Sequence, residues 1–178
     1  DNTRSRGLGD VYKRQDYGHL NGNHQKVSNI NIKNTTSDKI YQSSAERIAV
    51  YKIRLVPGIY DIQLKFSDNH YPANSRSFDI WIEGEKKVSG LDVSKEVGMF
   101  TAYDKELKYI PVADGILDIH FDLDLYGQGY AAAGPFLNGI VIDRTQGLGL
   151  ESDNTPQTFS LGKVSVSYTH LRAHETAY

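Results

Sequence analysis

Apolar residues return at every second position along most of this chain, the period of a strand with one face on a core. In IAVYKIRL (48–55), Ala49, Tyr51, Ile53 and Leu55 share a face. In IYDIQLKF (59–66), Tyr60, Ile62, Leu64 and Phe66 alternate with Asp61, Gln63 and Lys65. Pro57-Gly58 lies between these runs and suits a type II turn, so a hairpin is predicted. SFDIWIE repeats the pattern with Phe78, Ile80 and Ile82 inward and Trp81 on the opposite face, and a Glu83-Gly84-Glu85 turn leads on into KKV. ELKYIPV, the turn Ala113-Asp114-Gly115 and ILDIHFDLDL predict a second hairpin, with Leu117, Ile119, Phe121, Leu123 and Leu125 inward. PFLNGIVID closes the set, and VSNINI (27–32) is a weaker strand upstream. Nothing shows the helical period. Seven or eight such strands separated by turns predict an all-β sandwich with jelly-roll or Greek-key wiring.

The two ends read differently. One DNA duplex encodes both: a strand translates to SRGLGDVYKRQ (5–15), and its complement, in the second frame, to VSYTHLRAHE (166–175). Both resemble translated sequencing-adapter read-through, so 1–15 and 166–178 are set apart as artefactual tails. The native segment is expected over 16–165, as an excerpt of a longer gene. Within it, 16–144 forms the domain, and the polar, aperiodic stretch 145–165 is a linker or the start of a next domain.

Charge and composition narrow the function. Without Arg4, Arg6, Lys13, Arg14, Arg172, Asp1, Asp10 and Glu175, the 20 basic and 22 acidic residues become 15 and 19, a formal charge of −4. Basic residues are scattered, which argues against nucleic acid as a partner. The chain has no cysteine, hence no disulfide or thiolate metal site. No apolar run approaches the roughly 20 residues that span a bilayer, so no membrane partner is expected. Asp118, Asp122 and Asp124 with His120 alternate along one strand, as a solvated sheet face does. No metal, cofactor or catalytic residue is assigned: the chain has no Gly-x-Ser-x-Gly elbow, HExxH or P-loop.

Four blocks in order, YKIRLVPGIYDIQLKFSD, RSFDIWIEGEKKV, LDVSKEVGMFTAY and DGILDIHF with PFLNGIVI, resemble the malectin family of carbohydrate-binding domains, from Tyr41 to Arg144. The resemblance implies a jelly-roll sandwich, and its style is closest to bacterial modules appended to glycoside hydrolases, often β-galactosidase-like. It therefore implies a non-catalytic module that binds an oligo- or polysaccharide, in cis to a catalytic domain, in a periplasmic or extracellular parent. The alternative is a structural sandwich that packs on the catalytic domain and binds no sugar.

Aromatic side chains cover the C–H face of a sugar while amides or carboxylates bond its hydroxyls, and loops on a rigid scaffold present both. Nine of the 12 tyrosines lie between residues 16 and 165. His70-Tyr71, in Asp68-Asn69-His70-Tyr71-Pro72, match a family aromatic pair and rank first, with Asn69 beside them. Tyr17 matches a family Tyr-Gly, Tyr41 a family tyrosine, and Tyr126 and Tyr130 flank a Gly/Ala loop. Two departures concern ligand choice: Glu46 stands where the animal lectin pattern has a binding tyrosine, and Ala133 or Gly134 where it has an aspartate. Trp81 is either a flat platform for glycan or a surface covered by a neighbouring domain.

Overall fold

The computed structural model describes residues 17–20, 23–26, 30–123, 133–147, 156–161 and 164–169. Its strands are β1 (Tyr17–Leu20), β2 (Asn23–Lys26), β3 (Ser43–Glu46), β4 (Val50–Arg54), β5 (Gly58–Phe66), β6 (Phe78–Ile82), β7 (Glu85–Leu91), β8 (Tyr103–Val112), β9 (Ile116–Leu123), β10 (Phe136–Leu137), β11 (Gly139–Gly147), β12 (Pro156–Leu161) and β13 (Val164–Thr169). The first sheet runs β1-β4-β9-β6-β7, the second β12-β13-β11-β5-β8, and a small third sheet runs β10-β3-β2. Every pair is antiparallel except β11 with β13. The all-β sandwich expected from the sequence is the fold found.

Period two located the buried faces. Tyr51 and Ile53 of β4, Leu117, Ile119 and Phe121 of β9, and Phe78, Ile80 and Ile82 of β6 meet Tyr60, Ile62, Leu64 and Phe66 of β5, Leu107, Ile110 and Val112 of β8, and Ile140 and Ile142 of β11. Phe66, Phe78 and Phe136 bridge the sheets at one end, with ring centroids 5.7 to 6.1 Å apart. Such tilted and edge-to-face pairs add about 0.5–1.5 kcal/mol each beyond their burial.

The pairing expected from the turns was wrong twice. β4 and β5 lie in different sheets, and so do β8 and β9, so Pro57-Gly58 and Ala113-Asp114-Gly115 cross the sandwich instead of closing hairpins. Alternation says which face is buried, not which strand lies alongside. Gly58 begins β5 and is absent from the positive-φ glycines, whereas Gly115 has φ 80°. The crossing is held by Leu55 N–H donating to Gly115 O at 2.9 Å. A Cβ on Gly115 would stand 3.0 Å from Leu55 O. The Glu83-Gly84 turn does close a hairpin, β6 with β7, with φ of 52° and 75° at its two centre residues. Positive φ at both matches the right-handed strand twist.

Other differences are local. Residues 30–33 form no strand, only a bridge from Lys33 to Thr101, while Ile32 is buried with Tyr41 and Ala102 in a satellite core. Two short helices are present, α1 (Asp38–Tyr41) and α2 (Val93–Val97). Asp92 caps α2 by accepting from Lys95 N–H at 3.0 Å. Beyond residue 145, β12 and β13 extend the second sheet.

Candidate functional site

The loop 67–77 leaves β5 and enters β6 at the Phe66–Phe78–Phe136 end of the sandwich. Its anchor is Asp68, 0% exposed. One carboxylate oxygen accepts from the backbone N–H groups of His70 at 3.1 Å and Tyr71 at 2.9 Å. The other accepts from Arg76 Nε at 2.6 Å. The main-chain oxygen of Asp68 accepts from Phe100 N–H at 3.1 Å. Asp residues fold the chain back on themselves in this way because the side chain reaches amides two and three positions on.

Arg76 is the second fixed point. It is 3% exposed, yet carries a full charge. Nη1 donates to Glu46 at 2.5 Å and to Gly134 O at 3.2 Å. Its guanidinium lies 3.7 Å from the centroid of Phe136 and 4.8 Å from that of Tyr71. Charge-assisted bonds on two sides offset its desolvation. Nη2 is buried with no hydrogen-bond partner among the described residues.

These contacts place the sequence candidates. His70 is exposed and Tyr71 half-buried, side by side on the rim. Tyr71 is held at its N–H by Asp68, at its C=O by the Ser94 hydroxyl at 2.7 Å, and on its ring by Arg76. Asn69 belongs to the same loop but points inward: it accepts from Ser67 Oγ and donates to Tyr41 O at 2.7 Å. Asn138 donates to that same carbonyl and to Ser43 O, and accepts from Ser67 N–H, which ties the loop to β3 and β10.

Tyr41 lies beneath the rim with its ring 3% exposed. Its hydroxyl donates to Asp104 at 2.6 Å, and Lys65 bridges both. Burial, then the bond to Asp104, pushes this phenol above the ordinary tyrosine range, so it stays neutral. Tyr17 falls on β1 opposite Ile53, away from the loop in sequence and on the edge of the first sheet; its side chain lies outside the described residues. Tyr126 and Tyr130 also lie outside them. After them, Ala133 is 3% exposed and Gly134 accepts from Arg76 at its carbonyl.

Glu46, one of the two departures, is internal: 6% exposed, it takes Arg76 on one oxygen and the Ser44 hydroxyl on the other. At Gly134 a Cβ would stand 3.1 Å from Arg47 Cα, so the backbone there has little room for a larger residue. Arg76 and Asp68 escaped the sequence reading because a strand pattern shows only that Asp68 follows one strand and Arg76 precedes the next. The signal available was the arginine abutting a wholly apolar face. On the outer face of the first sheet, Asp118 pairs with Lys52 while His120 and Asp122 are exposed. Among the described residues no group of three or more His, Asp or Glu is placed to hold a metal ion. No helix among them is long and apolar enough to cross a membrane.

The chain resembles proteins of two kinds. The β-glucuronidase of Bacteroides uniformis matches at 26% identity over 80% of this chain and 14% of that one, with a TM-score of 0.59. The chain therefore spans about one seventh of that enzyme. The ectodomains of ANX2 and ANXUR1 from Arabidopsis thaliana match at 16% and 15% identity, over 66% of this chain and 38% and 36% of theirs, both with TM-scores of 0.56, and share the fold. No curated protein matches. The family described as "Malectin domain" matches residues 1–140, and with the sandwich, the strand order and the rim in place, the chain belongs to the malectin domain family.

Proposed function

We propose that this chain is a non-catalytic carbohydrate-binding module whose binding rim is built on His70 and Tyr71. The observation that carries the reading is Tyr71 itself. Its ring is partly open to solvent, yet backbone and face are fixed at three points by Asp68, Ser94 and Arg76. A ring already immobilised loses little entropy on binding, which matters at a shallow site that buries a small area. The C–H face of a sugar would lie on Tyr71, and the exposed imidazole of His70 would bond its hydroxyls. Asn69 and Tyr41 act one layer down, where they hold the loop to the body.

Asp68 and Glu46 are the two carboxylates bonded by Arg76 beneath this rim. Both are buried and engaged by Arg76, which leaves neither to serve as the acid or the nucleophile of glycoside cleavage. Binding, not bond-breaking, is what these side chains support. In its parent the module would keep a catalytic domain near a polysaccharide, in a periplasmic or extracellular protein of the glycoside hydrolase kind, β-galactosidase-like by resemblance.

The test is a glycan array followed by calorimetry on the full chain and on Tyr71→Ala. The expected result is a weak but measurable ligand and at least a tenfold loss in the variant, about 1.4 kcal/mol. One observation favours the alternative scaffold role. Trp81 is half-buried on the outer face of the first sheet, with Lys86 Nζ 5.0 Å from its ring, an aromatic surface of the kind a neighbouring domain covers. Absence of binding to any α-glucan, β-glucan or galactan would leave only that role.

A further inference from the structure

Tyr109 combines two features that oppose each other. Its φ is 57°, a left-handed backbone in which a bulky residue is strained. Its side chain is 71% exposed, so no packing offsets that strain. The conformation comes from a bulge: Tyr60 pairs with Ile110 and Ile62 with Leu107, so Asp61 faces both Lys108 and Tyr109. Asp61 holds the bulge by accepting from Tyr109 N–H at 3.0 Å and from Lys108 Nζ at 3.1 Å. Glycine is the residue such a position favours. A tyrosine there costs stability and gains nothing inside the chain, which points to a contact outside it.

The surroundings name the class of contact. β8 is the edge strand of the second sheet. The neighbouring side chains on the bulge and the strand beside it are charged: Lys108, Asp61 and Glu106, joined by ion pairs. Among the described residues the exposed large apolar side chains are Tyr109 and Val56, the latter on the crossing before β5. A protein interface of ordinary size needs several clustered apolar and aromatic residues on about 800 Å². One exposed ring on a bulge that also carries carboxylates and an ammonium suits a sugar, whose C–H face stacks while its hydroxyls bond charged groups.

We infer that the Tyr109 bulge is a second saccharide contact, used by polymeric glycans that also engage the Tyr71 rim. This rests on the binding function proposed above. Along β5, Asp61 is five residues from Phe66, where the rim loop departs, roughly 17 Å at the rise of a strand. A long glycan can reach both places and a short one cannot. Two weak contacts on one polymer multiply through effective concentration.

The test uses the full chain, Tyr109→Asn and Tyr109→Gly, since both residues tolerate the left-handed backbone without a ring. Retardation in gels containing soluble α-glucan, β-glucan or galactan is compared with calorimetry on trisaccharides of the same polymers. The inference expects polymer affinity to fall about tenfold in both variants. Trisaccharide affinity should stay unchanged and the melting temperature equal or higher. Equal retardation of variant and parent would overturn it, leaving Tyr109 to a protein neighbour. A matching loss on trisaccharides would overturn it too, since the bulge would then act through the fold. If the parent binds neither polymer nor trisaccharide, the rim reading falls as well, which separates the two failures.

Discussion

At the scale of single residues, the buried Arg76 joins stability to the candidate site. Its guanidinium lies against the rings of Tyr71 and Phe136 and bonds two buried carboxylates, Asp68 and Glu46. Replacing it with methionine keeps the length and removes the charge, which strands Asp68 and Glu46 in the interior. Arg76→Met should therefore cost about 3–5 kcal/mol in urea denaturation. Adding Glu46→Gln and Asp68→Asn to that variant should restore part of the loss; no restoration would mean that the charges do not set the penalty. This network was illegible in the sequence. Glu46, on β3, is remote in sequence from the loop that holds both Asp68 and Arg76, and only the folded sandwich brings it to them. That His70 and Tyr71 lie on a loop was legible, because Asp and Pro beside them just past a strand mark a chain reversal at short range.

At the scale of elements, the clearest case is the β6–β7 hairpin. Its turn was readable from Glu83-Gly84, since positive φ at both residues has a local cause. The crossings at Pro57-Gly58 and Ala113-Asp114-Gly115 were not, because strand pairing depends on where the rest of the chain goes. On the hairpin's outer face Lys86 donates to Asp79, lies 5.0 Å from the Trp81 ring, and Gly90 N–H donates to Asp79 at 2.7 Å. The bond from Lys86 is the first cause holding the Asp79 carboxyl below its ordinary 3.8; the bond from Gly90 adds to it and burial opposes both. A depressed folded value means the stabilisation is full above 3.8 and is lost as pH falls through the folded value. Thermal melts of Asp79→Asn should thus lie below the parent at neutral pH, and the gap should close as the pH falls below 3.8. A gap independent of pH would contradict the ion pair. The α2 cap makes a second case: Asp92 also accepts from Asn74 N–H at 2.6 Å, tying the helix to the rim loop. Asp92→Ala should cost about 1–2 kcal/mol and speed amide exchange at both Lys95 and Asn74.

At the scale of the whole molecule, two sheets share one core, and the three phenylalanines join them beneath the rim. Phe136→Ala should cost about 3–5 kcal/mol in chemical denaturation, because it opens a cavity between the sheets and removes the floor under Arg76. A loss under about 1 kcal/mol would show that the sheets are held together elsewhere. The layered all-β class was legible because alternation records burial directly. The surface was less so: Tyr109 sits inside ELKYIPV, where a bulge leaves no mark in the pattern. Amide chemical-shift mapping puts the central claim to its most direct trial, with the isotope-labelled full chain titrated with the best array ligand. The account predicts that the largest shifts fall on His70, Tyr71 and their neighbours through Arg76, with the outer face around Trp81 and His120 unmoved. Shifts confined to that face, or none at saturating glycan, would contradict it.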